Sequence, residues 1–318
     1  MTLPRREFGK TGEQITQLGI GLSEIGSISV QESKEIDKLL NSAIDLGINF
    51  FDTAPCYGNS EEFLGRAISH RRSEYFLASK CGHYVESYGD GRGGSSSSVV
   101  KDFDQNKAWT RKTITESVDR SLKRMKTDYL DLIQLHSCDL DMLKEGEVID
   151  AIERIKEAGK VRFVGYSGDN EAAQWASLDS RFDSIQTSFN LLDQGAKDMV
   201  FPGVNKTQKG LIAKRPIANG AWGVDKSPSA YASEYFRRYE IINSNGINID
   251  TDLNSIELSL AFALSHQTIN VHIVGTTNLL HLKSNIKQVE SGLLLDEKAL
   301  LQLYEAYDNS NDNWLSQT

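Results

Sequence analysis

The chain of 318 residues has only three cysteines, Cys56, Cys81 and Cys138, an odd number with no CxxC pair. That pattern argues against a disulfide scaffold and against a zinc site, and it suits a reducing cytoplasm. No apolar run approaches the ~18 residues of a membrane helix. The segment Met1–Lys10 is basic but has no apolar stretch beside it, so no secretion signal is read. Basic charge is also short: 35 Lys and Arg stand against 44 Asp and Glu, for a net charge of −9. Such a surface gains nothing from a phosphate backbone, which excludes nucleic acid as an expected partner. No Pro- or Ser-rich linker divides the chain, so residues 1–318 are expected to form one domain. What is present is a composition 39% hydrophobic and 25% charged, that of a soluble globular protein with a large core.

Short apolar, β-branched runs alternate with amphipathic stretches. Eight runs are read as strands: Ile15–Leu22, Asn49–Thr53, Tyr75–Lys80, Leu130–His136, Val161–Ser167, Ser184–Asn190, Gly210–Pro216 and Val271–Thr276. Near-continuous apolar strands indicate a parallel sheet covered on both faces. Between them, Ile36, Leu39, Leu40, Ala43 and Ile44 recur at helical spacing before Gly47. Ile114, Val118, Leu122 and Met125 do the same, as do Ile149, Ile152 and Ile155 before Gly159. Asn254 is placed to cap a helix carrying Leu258, Phe262 and His266. Eightfold strand–helix alternation predicts an α/β (β/α)8 barrel, and the Gly9-Lys10-Thr11-Gly12 turn predicts a short hairpin before it.

Two connections exceed what a barrel needs, residues 81–112 and 219–252. Both follow strands and so belong to the C-terminal rim, where barrel enzymes keep their sites, and both are read as substrate-covering loops. The residues in them that would set the substrate are Tyr84, Trp109, Trp222, Tyr231 and Tyr235.

The polar residues at the strand ends are the candidates for chemistry. Asp52, Tyr57, Lys80 and His136 follow three neighbouring strands. An ordinary phenol is a weak acid near neutrality. A lysine ammonium beside it is expected to lower its pKa, and a carboxylate beside the lysine to fix that charge. A histidine is suited to bind and orient a carbonyl oxygen. Together these make a general acid beside a polarised carbonyl. Singly, each has a plain structural reading as cap, snorkelling cation, packed ring or satisfied histidine. Their joint placement is what points to function.

The stretch Gly47-Ile-Asn-Phe-Phe-Asp52-Thr-Ala-Pro-Cys-Tyr57-Gly, followed by Ser60-Glu-Glu-Phe-Leu-Gly-Arg66, resembles the signature of the aldo-keto reductases. So do Ala78-Ser-Lys80, Asp128-Tyr-Leu-Asp-Leu-Ile-Gln-Leu-His136 and Gly159-Lys-Val-Arg-Phe-Val-Gly-Tyr-Ser167. The resemblance runs from about Arg6 to Val289. It implies a barrel oxidoreductase that binds NADP(H), in preference to NAD(H), without a Rossmann domain. It implies Tyr57 as acid, Lys80 and Asp52 as its tuning pair, and His136 as the carbonyl orienter. For the cofactor it implies Leu22, Asp52, Ser167, Gln186, Gly275, Thr276, Thr277 and Asn285. The partner implied is a small carbonyl or alcohol.

Several positions depart from the family pattern. Gly168 stands where an Asn usually follows the strand-end Ser. Lys214 stands where an aromatic usually stacks on the nicotinamide, and Lys214 or Arg215 is a candidate for cofactor phosphate instead. The last loop has only His281 and Lys283 as clamps for a 2′-phosphate. The readings carried forward are a carbonyl reductase, an NAD-dependent sugar dehydrogenase, a cofactor-binding regulatory subunit without turnover, and a Schiff-base aldolase using Lys80. The three cysteines are read as small buried residues, with oxidation of a site thiol as the sharper alternative.

Overall fold

The protein is described from a computed structural model in residues 2–30, 33–83, 109–247, 249 and 251–317. Ten strands organise the described residues. β1 (Arg5–Glu7) and β2 (Gln14–Thr16) pair antiparallel as a hairpin, with Arg5 opposite Thr16. β3 (Leu18–Gly21), β4 (Phe50–Asp52), β5 (Phe76–Cys81), β6 (Leu130–His136), β7 (Val161–Ser167), β8 (Ser184–Ser188), β9 (Gly210–Lys214) and β10 (Val271–Gly275) close into a parallel barrel in chain order. The expected (β/α)8 barrel and its N-terminal hairpin are both present.

One expected strand is wrong as drawn. The run Ile15–Leu22 is two elements, the second hairpin strand and the first barrel strand. They are separated at Gln17, where the backbone N–H turns to Pro4 O at 2.9 Å. Only Thr16 and Gln17 mark that corner, and Ile15 and Leu18 on either side are both buried, one under the hairpin and one in the barrel wall. The remaining strands fall within two residues of their expected limits.

The helices form for the reasons their spacing gives. Lys34–Asp45 buries Ile36, Leu39, Leu40, Ala43 and Ile44 along one stripe, and Gly47 follows with φ +93°. Arg111–Met125 starts where Thr110 accepts a bond from Thr113 N. Ser255–Leu264 starts with a reciprocal capping box between Asn254 and Glu257. Their apolar stripes and the outward faces of the strands share one core, in which each fully buried Leu or Ile contributes roughly 1.5–3 kcal/mol.

The inward faces of the strands form a second, smaller core at the N-terminal end. Phe8 from the hairpin packs edge-on against Phe50 (5.9 Å) and Phe76 (5.5 Å), which stack on each other at 5.3 Å. Leu132, Ile212, Val271 and Ile273 complete that plug. Because side chains alternate, the next inward positions toward the C-terminal end are Asp52, Lys80, Gln134 and Gln186. The same strands that fill the floor with phenylalanine present polar groups at the rim.

Among the described residues, no helix is long and apolar enough to cross a membrane.

Candidate active site

Asp52 is the last residue of β4 and Lys80 the fifth of β5; Asp52 pairs in register with Ala78, two residues before the lysine. Lys80 Nζ donates to Asp52 Oδ2 at 2.6 Å and to Thr53 O at 2.9 Å. Both side chains are sealed from solvent, at 1% and 2% exposure. Asp52 Oδ1 accepts from Gln186 Nε2 at 2.8 Å and from Gln134 Nε2 at 3.4 Å. Ser167 Oγ donates to Gln186 Oε1 at 2.7 Å. One chain of hydrogen bonds thus crosses the barrel mouth from Ser167 through Gln186 and Asp52 to Lys80. A buried charge pair survives only when its remaining valences are met, and this network meets those of Asp52.

Tyr57 sits in the turn after β4, with its N–H bonded to Ala54 O at 3.0 Å. The turn lies so close to Gly26 that a Cβ there would meet Tyr57 O at 2.1 Å. The signature residues that follow hold this turn in place. Thr53 Oγ1 and Ser60 Oγ lie 2.6 Å apart. Buried Glu61 accepts from Ser79 at 2.9 Å and from Arg124. Gly65 lets the helix Ser60–Ala67 touch the backbone of Arg124. Lys80 Nζ is 4.7 Å from the centroid of the Tyr57 ring, and His136, ending β6, is edge-on to that ring at 6.0 Å.

Burial works against the charge of Lys80, but Asp52 and then Tyr57 outweigh it, so the ammonium holds its proton more tightly than a free lysine. A Schiff base needs a neutral lysine, which a carboxylate 2.6 Å from the nitrogen opposes. Burial also dominates Tyr57. It raises the phenol above its ordinary pKa even though Lys80 pulls it down. The expectation that the ammonium would leave a lowered pKa is therefore corrected: desolvation of the phenolate exceeds the attraction of one ammonium whose charge is shared with Asp52. His136 is pushed well below its usual pKa by burial, then by His83, Lys80, Lys214 and Arg215, and is a neutral imidazole.

Two departures from the family pattern stand next to Asp169. Lys214 Nζ ion-pairs with Asp169 Oδ2 at 2.8 Å, at 13% and 0% exposure. Asp169 also accepts from Thr187 Oγ1 at 2.9 Å and Ser188 N at 2.7 Å. Gly168 precedes it because a Cβ there would strike the Tyr166 hydroxyl at 2.3 Å, and that hydroxyl is bonded to Cys138 O. Arg215, at φ +58°, binds Ser188 Oγ (2.8 Å), the Tyr231 hydroxyl and Gln317 O, tying the second long segment and the C-terminal segment to the rim.

The other cofactor candidates lie along the rim. Leu22 is buried and donates its N–H to Asp52 O at 2.9 Å. Gly275 ends β10; Thr276 Oγ1 accepts from Asn278 N, and the Asn278 side chain caps the helix Leu279–Glu290. Asn285 and Thr276 are buried, while Thr277, His281 and Lys283 are exposed. A loop feeding a helix N-terminus, with exposed basic residues beside it, is a donor set that fits a nucleotide phosphate.

Of the expected lid residues, Tyr84 lies outside the described residues. Trp222 and Tyr235 are buried; Tyr235 donates to Asp193 Oδ2 at 2.9 Å, and Trp222 packs on Tyr239 at 5.3 Å. The aromatic residues of the second segment thus serve largely to fold it, around the helix Ser233–Ser244. Trp109 is half-buried against Gly82, where a Cβ would overlap its ring.

Sequence reasoning missed Gln134, Asp169 and His83. Gln134 carries a signal, since it precedes His136 by two and so shares its inward face. His83 carries none. It stacks on His136 at 4.1 Å with its ring pushed down to about pKa 4, by burial first and then by Lys80 and Lys214.

Residues 17–307 match the model of the aldo/keto reductase family. The chain belongs to that family. It is 34% identical over 314 residues to L-galactose dehydrogenase of Arabidopsis thaliana, covering 94% of this chain and 92% of that protein. It is 30% identical over 308 residues to the oxidoreductase YqkF of Bacillus subtilis (strain 168), covering 92% and 94%. The structure of aldo-keto reductase AKR11C1 from Bacillus halodurans shares the fold, with TM-score 0.77 at 24% identity over 96% of each chain. The aldo-keto reductases are oxidoreductases that use nicotinamide cofactors, so the aldolase reading loses its ground. The polar mouth of this barrel is where the family signature falls.

Proposed function

We propose that the protein is a nicotinamide-dependent carbonyl reductase in which Tyr57 is the general acid. The observation that carries this is Lys80 Nζ held by Asp52 at 2.6 Å and lying 4.7 Å from the Tyr57 ring. The reduced nicotinamide, when bound, supplies the hydride to the carbonyl carbon. Tyr57 gives its proton to the carbonyl oxygen as negative charge builds there, and the Lys80 ammonium stabilises the phenolate left behind. Neutral His136 donates a hydrogen bond to the same oxygen and fixes its direction. Asp52 holds Lys80 in place and charged. Ser167 and Gln186 would meet the nicotinamide amide, and Thr276, Thr277 and Asn285 the adenosine end.

A second reading is oxidation of an aldose with NAD. The identity to L-galactose dehydrogenase supports it, as does the thin clamp of exposed His281 and Lys283. Parallel fluorescence titrations with NADPH and NADH, then turnover of 4-nitrobenzaldehyde and of an aldose series, separate the two. Tighter NADPH binding with aldehyde reduction supports the first. Tighter NADH binding with sugar oxidation supports the second. Binding of neither cofactor defeats both.

A further inference from the structure

Cys56, His83 and His136 come from three separate stretches of the chain, and one ligand atom of each lies within 4.8 Å of the others. No CxxC or HxxH spacing announces them, so the sequence expectation against a zinc site never reached this cluster. A tetrahedral zinc with Zn–S about 2.3 Å and Zn–N about 2.0 Å sets its sulfur and nitrogen ligands about 3.5 Å apart. Cys56 Sγ and His136 Nδ1 are 3.5 Å apart. The third ligand stands ready: His83 Nδ1 is buried with no hydrogen-bond partner among the described residues. Buried polar atoms are ordinarily paired, so an unpaired nitrogen on a ring that brings a ligand atom within 4.8 Å of two others calls for an explanation. The nearby cations do not forbid a metal, because Lys80 is already paired with Asp52 and Lys214 with Asp169.

We infer that Cys56, His83 and His136 form an inhibitory site for a borderline-soft divalent cation, Zn2+ in the first place. Three protein ligands leave the fourth position for water. Binding converts the Cys56 thiol to a zinc thiolate and releases its proton to solvent; no electrons move. The metal takes His136 from the carbonyl and occupies the space beside Tyr57. The binding half of this inference stands on the cluster alone, and the inhibition half rests on the reductase reading above.

The test titrates metal-free protein with CoCl2 and follows the thiolate-to-cobalt absorption in the near ultraviolet. The wild-type chain should saturate at one Co2+ per chain, and Zn2+ should bleach the band. Cys56→Ser should lose the band. His83→Gln should need roughly 10-fold or more Co2+, with circular dichroism confirming the fold. Micromolar Zn2+ should stop carbonyl turnover of the wild type and spare that of Cys56→Ser. No band in the wild type, or a band that survives Cys56→Ser through Cys81 or Cys138, overturns the inference. A cobalt band without turnover on either nicotinamide leaves the site standing and defeats the reductase reading. Turnover without a band does the reverse.

Discussion

The two ends of the barrel interior are built from the same strands and do opposite work. On β4, Phe50 faces the floor and Asp52 the mouth, two residues apart. On β5, Phe76 lies in the floor and Lys80 in the mouth, with Ala78 between them. The floor is held by rings in contact and is indifferent to charge. The mouth is held by hydrogen bonds and ion pairs centred on Asp52 and Lys80. A barrel can therefore separate stability from chemistry along each strand, and the same substitution logic should give opposite readouts at the two ends.

The largest contrast should come from Tyr57→Phe at the mouth. Loss of the proton donor should lower turnover by about 10²–10⁴-fold with the unfolding midpoint unchanged. Its mirror at the floor is Phe50→Ala. That should cost about 3–5 kcal/mol in urea unfolding while the folded fraction keeps its turnover. Equal loss of turnover in both would erase the distinction.

A smaller effect sharpens the comparison within the rim. Lys214→Met leaves Asp169 charged and buried without its cation, at about 3 kcal/mol. Adding Asp169→Asn should recover most of that loss, because a buried pair removed whole is far cheaper than one removed by half. A double variant as unstable as the single would show that Lys214 stabilises by packing rather than by charge.

The smallest effect is in pH. His83 and His266 are held at about 4, below the ordinary 6.5, chiefly by burial, and His136 is lowered in the same direction. The unfolded chain takes up these protons first, so their stabilisation is complete above pH 6.5 and is lost as pH falls toward about 4. His266→Gln should flatten that slope by at most about 1.4 kcal/mol per pH unit. It lies in the outer core with Nδ1 on Phe262 O and Nε2 on the Tyr304 hydroxyl, so turnover should not follow. An unfolding midpoint indifferent to pH between 7 and 5 would mean these rings are not neutral when folded.

The barrel was legible because its strands are apolar on both faces and its helices carry single stripes with caps, as at Asn254. The hairpin corner at Gln17 was not, because buried residues lie directly on both sides of it, in two different cores. The four candidate residues were legible because Asp52 and His136 end strands, Lys80 stands one residue before the end of another, and Tyr57 follows one closely. Asp169–Lys214 was hidden, because Lys214 seen alone reads as a departure, Asp169 draws no notice, and only the fold brings them together. The sign of the Tyr57 shift was hidden too, since sequence reveals the neighbouring charge but not how much water the folded turn removes.

The most direct test is a single-turnover measurement with saturating NADPH and 4-nitrobenzaldehyde, reading nicotinamide absorbance in wild type and Tyr57→Phe alongside cofactor binding by fluorescence. The account predicts equal binding and a hydride-transfer step slowed by roughly 10³-fold in the variant. Undiminished oxidation of NADPH by Tyr57→Phe would contradict it.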